Sequence, residues 1–360
     1  MAVSGSLTDA SYPPAPMGAS TEPCGPGLLV LHTDGALDDR VVAKTAWVLL
    51  RFAPERVRAV VDPVHAGRKL GEICPGLDLD VPVVADVAAV AEPGDTLVIG
   101  TARNGGALSV GQHDAILRAS AAGMAVLNGT HDVVDAPGVV NMRVFRPEDR
   151  RLGEARPRGT TTRILTVGST GSVGKMTVTV LLARALQAAG HRADWLPTGQ
   201  TGVILRGLGH VLDAVPLDFA PGVLEHDLAE VERDADVVVV EGQGALLHPM
   251  WGAASFIFTK VAKPDWLVVC ARMGPTHHLG FDVPIPDVLD VVAAHRALAT
   301  VLGQTYDVLG VALDSADVDR ATYDAERARI ETALGVPCVD PVRDGVDDLV
   351  ARLLLPPATR

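Results

Sequence analysis

The chain has 360 residues, enough for two domains with a core each, and its 48% hydrophobic and 21% charged residues are those of an ordinary globular protein. Lys and Arg total 31 against 44 Asp and Glu, a net charge of −13 that argues against a duplex-binding surface, while 4% aromatics leave little on which single strands could stack. Gly, Pro or charge interrupts every apolar run short of the ~18 residues that a membrane span takes, and Cys24, Cys74, Cys270 and Cys338 lack CxxC spacing, which argues against a zinc site or disulfide framework and fits a reducing cytoplasm.

Residues 1–26, rich in Ser, Pro, Gly and Ala, have neither a basic start nor an apolar h-region and read as a disordered extension, not a signal peptide. A first domain over 27–146 follows. It contains strands at Leu28–Leu31, Val57–Asp62, Val81–Val84, Thr96–Ile99 and Met124–Leu127, with helices at Val41–Phe52 and His113–Ala122. Strands alternating with helices imply right-handed crossovers and a parallel sheet covered on both faces, a Rossmann-like arrangement. Asp62 ends the second strand where a dinucleotide enzyme keeps its ribose-binding acid, but the first turn, HTDGALDDR, lacks GxGxxG, so nicotinamide binding is not expected. Two loops, GTARNGGAL at Gly100–Leu108 and NGTHD at Asn128–Asp132, follow strands at the carboxyl edge, where ligands of such sheets collect. His131 is a candidate donor or base there; glycine-rich turns and an exposed histidine account for the same residues.

The stretch 147–162 is charged, punctuated by Pro and Gly, and reads as a linker. The second domain, 163–355, opens with a strand at Ile164–Val167, then GSTGSVGKMT at Gly168–Thr177, then a helix at Val178–Leu186. This is the strand, glycine loop and helix of a phosphate-binding P-loop. Gly168, Ser169, Gly171, Ser172, Val173 and Gly174 supply the tight turn and its N–H groups, the helix N-terminus adds partial positive charge, and Lys175 adds a full one. In GxxxxGK[ST] the residue after lysine gives magnesium a hydroxyl; here that residue is Met176, and Thr177 comes one position late, about 100° further round the helix. Further strands are expected at Ala193–Leu196, Val237–Val240, Trp266–Cys270 and Val308–Ala312, with helices at Val223–Arg233 and Val288–Leu302 and no internal repeat. The fold class is therefore α/β, a Rossmann-like parallel-sheet domain followed by a P-loop NTPase-like domain.

Loops after four strands, at Gly168, Thr198, Glu241 and Arg272, should meet at one sheet edge. Glu241, after four valines, occupies the place of the acid that follows a Walker B strand, where it orients a metal, a water or a nucleophile. His248, seven residues on, is a candidate general base, and His277 of the pair His277-His278 is a further candidate. Gln200 and Thr201 in TGQTG, and Gln243 in EGQG, can offer donors to a substrate. Arg206 and Arg272 could grip its carboxylate bidentately. Asp213, Asp218 and Glu225 could hold an ammonium group, although solvated acids are the simpler reading. If magnesium is used, Thr177 and Glu241 are its candidate ligands.

GSVGKMT, TGQTG, DAVPLDF at Asp213–Phe219 and EGQGALLHP together resemble the C-terminal P-loop half of a family long of unknown function and now associated with N-acetylation of D-glutamate. AKTA at Ala43–Ala46, GGAL at Gly105–Leu108 and NGTHD are similar to that family's N-terminal half, so the resemblance runs from about residue 27 to 340. More distantly, the P-loop resembles dethiobiotin synthetase, which activates a carboxyl with ATP. The resemblance implies acetyl transfer to an acidic amino acid. One departure is Ala271 with Gly274-Pro275, where the family pattern has His and Gly-Arg; Arg272 and His277 are the possible substitutes.

Three readings follow. In the first, acetyl-CoA is the cofactor: its phosphates can be held by N–H groups and one lysine with no magnesium, and His248 or Glu241 deprotonates the acceptor amine. The second keeps ATP and Mg2+ for carboxyl activation and amide formation, and the third is a non-catalytic nucleotide-sensing module. The expected partners are a small-molecule substrate and copies of the chain in a homo-oligomer, with no nucleic acid and no membrane, in the cytoplasm.

Overall fold

A computed structural model describes residues 27–103, 105–155 and 157–355; the extension expected at 1–26, Cys24 and Asn104 lie outside the described residues. The first sheet is built from β1 (Leu29–His32), β2 (Val57–Val61), β3 (Val83–Val84), β4 (Thr96–Ile99), β5 (Ala125–Asn128) and β6 (Val139–Asn141), in the order β3-β2-β1-β4-β5-β6. Every pairing is parallel. Helices α1 (Lys44–Phe52), α2 (Leu70–Ile73) and α3 (Val110–Ala121) connect these strands. Helix α3 starts three residues before the expected His113 because Ser109 and Gln112 form a capping box that satisfies its first N–H groups. Asp62 is buried as a hub for the first crossover, accepting from the Thr33 hydroxyl at 2.7 Å, Leu37 N at 3.1 Å and His65 N at 3.0 Å. Its lone pairs are spent on the fold.

The second sheet comprises β7 (Thr162–Gly168), β8 (Ala193–Leu196), β9 (Val237–Val240), β10 (Trp266–Arg272), β11 (Asp307–Asp314) and β12 (Cys338–Val339), ordered β12-β11-β10-β7-β9-β8 and again all parallel. Its helices are α4 (Lys175–Ala188), α5 (Gln200–Arg206), α6 (Ala220–Val231), α7 (Gly252–Ala262), α8 (Val288–Leu302), α9 (Arg320–Leu334) and α10 (Asp347–Leu354). The four valines of β9 are fully covered on both faces, which is why this strand reads as a continuous apolar run. Strand β7 sits centrally with β9 on one side and β10 on the other, so the loop leaving it opens at a topological switch point, where ligands of open α/β sheets bind.

The TGQTG stretch, expected as a loop, instead runs into helix α5. Gly202 hides that helix in the sequence, yet the helix requires it: a Cβ there would lie 2.7 Å from Glu241 Oε2 and 2.8 Å from the Pro197 ring. Cys74, Cys270 and Cys338 are buried free thiols, and burial pushes each up to about 12, so they are protonated and unreactive. Among the described residues, no helix is long and apolar enough to cross a membrane.

The two sheets meet across α1. The Thr45 hydroxyl lies 2.7 Å from the Thr201 hydroxyl of α5, Arg56 donates to Leu205 O at 3.0 Å, and Arg184 of α4 donates to Phe52 O at 3.0 Å. Two charged ties add to these. Arg40 makes a fork with Asp314 at 2.8 and 2.9 Å, and Arg143 bridges Asp213 at 2.9 Å and Gln200 Oε1 at 2.8 Å.

Candidate active site

A cleft of about 560 Å³ opens between the two domains, and the P-loop forms its floor. Ser172 (φ 54°) and Gly174 (φ 85°) take left-handed conformations, the kind of turn that lets successive N–H groups converge on an anion. Lys175 begins α4 with only 8% of its surface exposed, and its Nζ donates to Thr170 O at 3.1 Å. Burial pushes this ammonium down to about 8, and no carboxylate forms a salt bridge with it among the described residues. An uncompensated buried cation at a helix N-terminus is what a bound phosphate would neutralise. Met176 packs in the cluster that includes Val173, Val180 and Cys270 while still lining the cleft, and Thr177 is half-buried on the same wall. The loop therefore suits phosphoryl oxygens. Its first-turn hydroxyl stands one residue beyond the place from which magnesium is usually held.

Glu241, at the end of β9, lies on the cleft wall and is 6% exposed. Its Oε2 accepts from Thr198 N at 3.0 Å and Gly199 N at 3.3 Å, which fixes the carboxyl plane. Burial raises this acid to about 7 in spite of those bonds and of the charges on Lys44 and Lys175. A carboxyl that titrates near neutrality, oriented by two amides, has the properties of a general acid or base. Thr198 is locked in turn: its hydroxyl donates to Glu241 O at 2.6 Å and accepts from Gln243 Nε2 at 3.1 Å.

Of the other expected residues, Gln200, Thr201, Gln243, Arg272 and His131 all lie on the cleft wall. His131 is exposed at the rim, and the loops at Gly100 and Asn128 reach the same space through Thr101, Gly106 and Thr130. Arg272 is already engaged, its Nε and Nη2 on Asp317 Oδ2 at 2.8 and 2.7 Å.

Five residues stand elsewhere. Arg206, at the end of α5, points away from the cleft into an ion pair with Asp194 at 2.7 Å. His277 is exposed outside it, 3.0 Å from the Thr276 hydroxyl. Its neighbour His278 is the one that meets the P-loop, with Nδ1 2.7 Å from the Thr170 hydroxyl. His248 is buried behind Trp251, stacked on its ring at 4.3 Å. Its Nδ1 accepts from Met250 N at 3.1 Å and Trp251 N at 3.3 Å, which places the proton on Nε2, and burial lowers its basicity further. That histidine is a poor base in a poor place. Asp218 and Glu225 do not join Asp213 at the cleft: Asp218 is on the outer surface, and Glu225 accepts from Glu154 N at 2.7 Å.

The cleft also contains residues that motif reading passed over. Lys44 on α1 is half-buried on the wall, its basicity lowered by burial and partly restored by Asp213 and Glu241. Arg143, after β6, ties Gly129 O, Gln200 and Asp213 together. The signal for Lys44 was present in AKTA, on the face of an amphipathic helix. What the sequence did not give was the docking of that helix on the other domain.

These features define a two-domain protein whose P-loop sheet and Rossmann-like sheet enclose a cleft lined by the P-loop. The chain matches the P-loop domain of DUF1611, a domain of unknown function, over residues 151–350, and the Rossmann-like N-terminal domain of the same family over 63–141. It belongs to the DUF1611 family. A curated relative from a Pseudoalteromonas species, named D-glutamate N-acetyltransferase, is 30% identical over 269 residues, 72% of this chain and 81% of the relative. A second of the same name, from Tritonibacter scottomollicae, is 29% identical over 334 residues, 89% and 96% of the two chains. The crystal structure of a DUF1611 family protein from Anabaena variabilis superposes with a TM-score of 0.84 at 31% identity, covering 91% of this chain and 99% of that one. The two-domain architecture expected from the motifs is that of the family.

Proposed function

We propose that the chain is an N-acyltransferase that moves an acetyl group from acetyl-CoA to the amino group of an acidic amino acid, with D-glutamate, for which its curated relatives are named, as the first acceptor to test. One observation carries this reading: an oriented carboxyl, Glu241, poised at about 7, shares a cleft with a buried lysine that makes no salt bridge among the described residues.

Lys175 and the N–H groups of the P-loop would hold the pyrophosphate of coenzyme A, which supplies the acetyl thioester. The carboxylate of Glu241 would take a proton from the acceptor's ammonium, freeing the lone pair that attacks the acyl carbon; as the C–N bond forms the C–S bond breaks, and coenzyme A leaves as its thiol with the second proton that the amine sheds. Gln243 and the loop amides beside it can steady the developing oxyanion, an effect worth about 3 kcal/mol per donor in hydrolases. Lys44, whose charge already feels Glu241 and Asp213, is the cation best placed for the acceptor's side-chain carboxylate, with Gln200 and Thr201 alongside. His131 at the rim and Arg272 remain candidates for outer contacts, the latter only if Asp317 lets it go.

The test is titration calorimetry with coenzyme A, with and without EDTA, followed by thiol-release assays with D- and L-glutamate. Binding unaffected by EDTA and weakened at least tenfold by Lys175→Ala, with amino-acid-dependent thiol release, is expected. Magnesium-dependent ATP turnover stimulated by an amino acid would replace this reading with the carboxylate-activating ligase. Tight nucleotide binding with no turnover would leave a sensor.

A further inference from the structure

Helix α1 lies across the carboxyl edge of the P-loop sheet and turns one face to the cleft, with Lys44, Trp47, Val48 and Arg51 all on the wall. Positions 44 and 51 are two helical turns apart, about 10 Å along the axis. Their electrostatic surroundings differ accordingly. Lys44 feels Asp213 and Glu241, on the β9 side of the P-loop strand; Arg51 feels Asp314 and Asp340, at the ends of β11 and β12 on the other side. With strands about 4.8 Å apart, the three steps from β9 to β11 span about 14 Å, so the helix bridges the sheet edge with one cation toward each flank and the P-loop between.

Arg51 is the unusual one. Among the described residues it makes no hydrogen bond and no salt bridge, and burial lowers its basicity. Both neighbouring carboxylates are already taken. Asp314 receives the fork from Arg40, and Asp340 accepts from the Ser315 hydroxyl and from Val342 N and Arg343 N. An arginine in the last turn of a helix gains something from the helix dipole, but that does not account for a guanidinium turned into a cleft with its donors unspent. Between Arg51 and Lys44 the wall is apolar, formed by Val48 and by Trp47, whose indole is pinned to Leu37 O at 2.8 Å, and Pro341 and Val342 face the same space. That is a surface for a purine with an anion beyond it.

We propose that Arg51 reads the 3′-phosphate of coenzyme A, so that the nucleoside end of the cofactor lies toward β11 and β12 and its thioester end toward Glu241. This inference rests on the acetyl-CoA reading above. It makes Arg51 a specificity-determining residue that separates coenzyme A from 3′-dephospho-coenzyme A and from ATP, both of which lack that group.

The experiment measures the affinity of the full chain, of Arg51→Met and of Arg51→Lys for coenzyme A and for 3′-dephospho-coenzyme A by titration calorimetry. The wild-type chain should prefer coenzyme A at least tenfold. In Arg51→Met that preference should collapse to within about twofold through loss of coenzyme A affinity alone, with Arg51→Lys intermediate. Unchanged binding of the dephospho ligand doubles as the check that the variant is folded. Equal wild-type affinity for the two ligands overturns the role of Arg51 while leaving the acetyl-CoA reading intact, and so does a loss of both ligands in Arg51→Met while Arg51→Lys binds both normally. Failure of the wild-type chain to bind either ligand overturns the acetyl-CoA reading itself.

Discussion

Replacing Lys175 by methionine should make the free protein more stable and at the same time abolish its response to coenzyme A. The ammonium falls from an ordinary 10.5 to about 8 because burial strips its water, an effect that the bond to the Thr170 carbonyl and the nearby Cys270 and Glu241 offset only in part. At about 1.36 kcal/mol per pH unit, that gap represents about 3 kcal/mol of charge burial at neutral pH. Methionine fills a similar volume without the charge but forfeits the bond to Thr170, worth about 1 kcal/mol, so a net gain of about 1–2 kcal/mol is expected. For a chain of this size that is a rise of roughly 1–3 °C in Tm. The pH dependence gives a second handle. Between about 8 and 10.5 the unfolded chain binds the proton that the folded chain has released, so wild-type stability should climb through that window relative to the variant. With coenzyme A at a hundredfold excess over its Kd, the wild-type protein should gain about 2.7 kcal/mol and the variant almost nothing, so the order of melting temperatures reverses. Thermal scans with and without ligand at pH 7 and pH 9 measure all of this. A variant that melts below the wild type without ligand and still shifts with coenzyme A would refute the placement of an unpaired charge at the phosphate site.

Glu241→Gln should keep coenzyme A affinity within about threefold while lowering kcat at least a hundredfold, and the wild-type pH–rate profile should rise through an apparent pKa near 7 that the variant lacks. The same acid bears on stability: raised from 4.5 to about 7, it favours the fold below pH 4.5 and loses that contribution as pH climbs through 7, so Glu241→Gln should flatten this decline in urea titrations across pH 4.5–7. Gly202→Ala should cost about 1–3 kcal/mol, since its Cβ would press on Glu241 Oε2 at 2.7 Å, and kcat should fall with it; full activity at wild-type stability would show that α5 has room to move. His248→Gln should slow turnover no more than about fivefold, because the ring stands behind Trp251 with Nδ1 engaged by backbone; a loss of a hundredfold or more in a folded variant would restore it as the base.

The local parts of this protein were written in its sequence. Alternating apolar strands and helices announce two parallel sheets, and Gly168 to Lys175 announces an anion site, because glycine geometry, helix dipole and lysine charge act over a few neighbouring residues. The four valines of β9 and the acid after them were legible for the same reason, since burial on both faces leaves a short continuous apolar run. Helix α5 was obscured by Gly202, whose need arises from the Pro197 ring and from the carboxylate of Glu241, far along the chain. Nor could the sequence say that Arg206 turns to Asp194, that His248 spends its lone pair on backbone, or that His278 and not His277 meets the P-loop. Lys44 and Arg51 are ordinary cations on an amphipathic helix until α1 is laid across the other domain's sheet edge. Charge, propensity and turn chemistry are properties of neighbours along the chain; which cation is left without a counter-ion, and which acid is lifted to neutrality, is decided by desolvation, and that exists only once distant segments have closed around them.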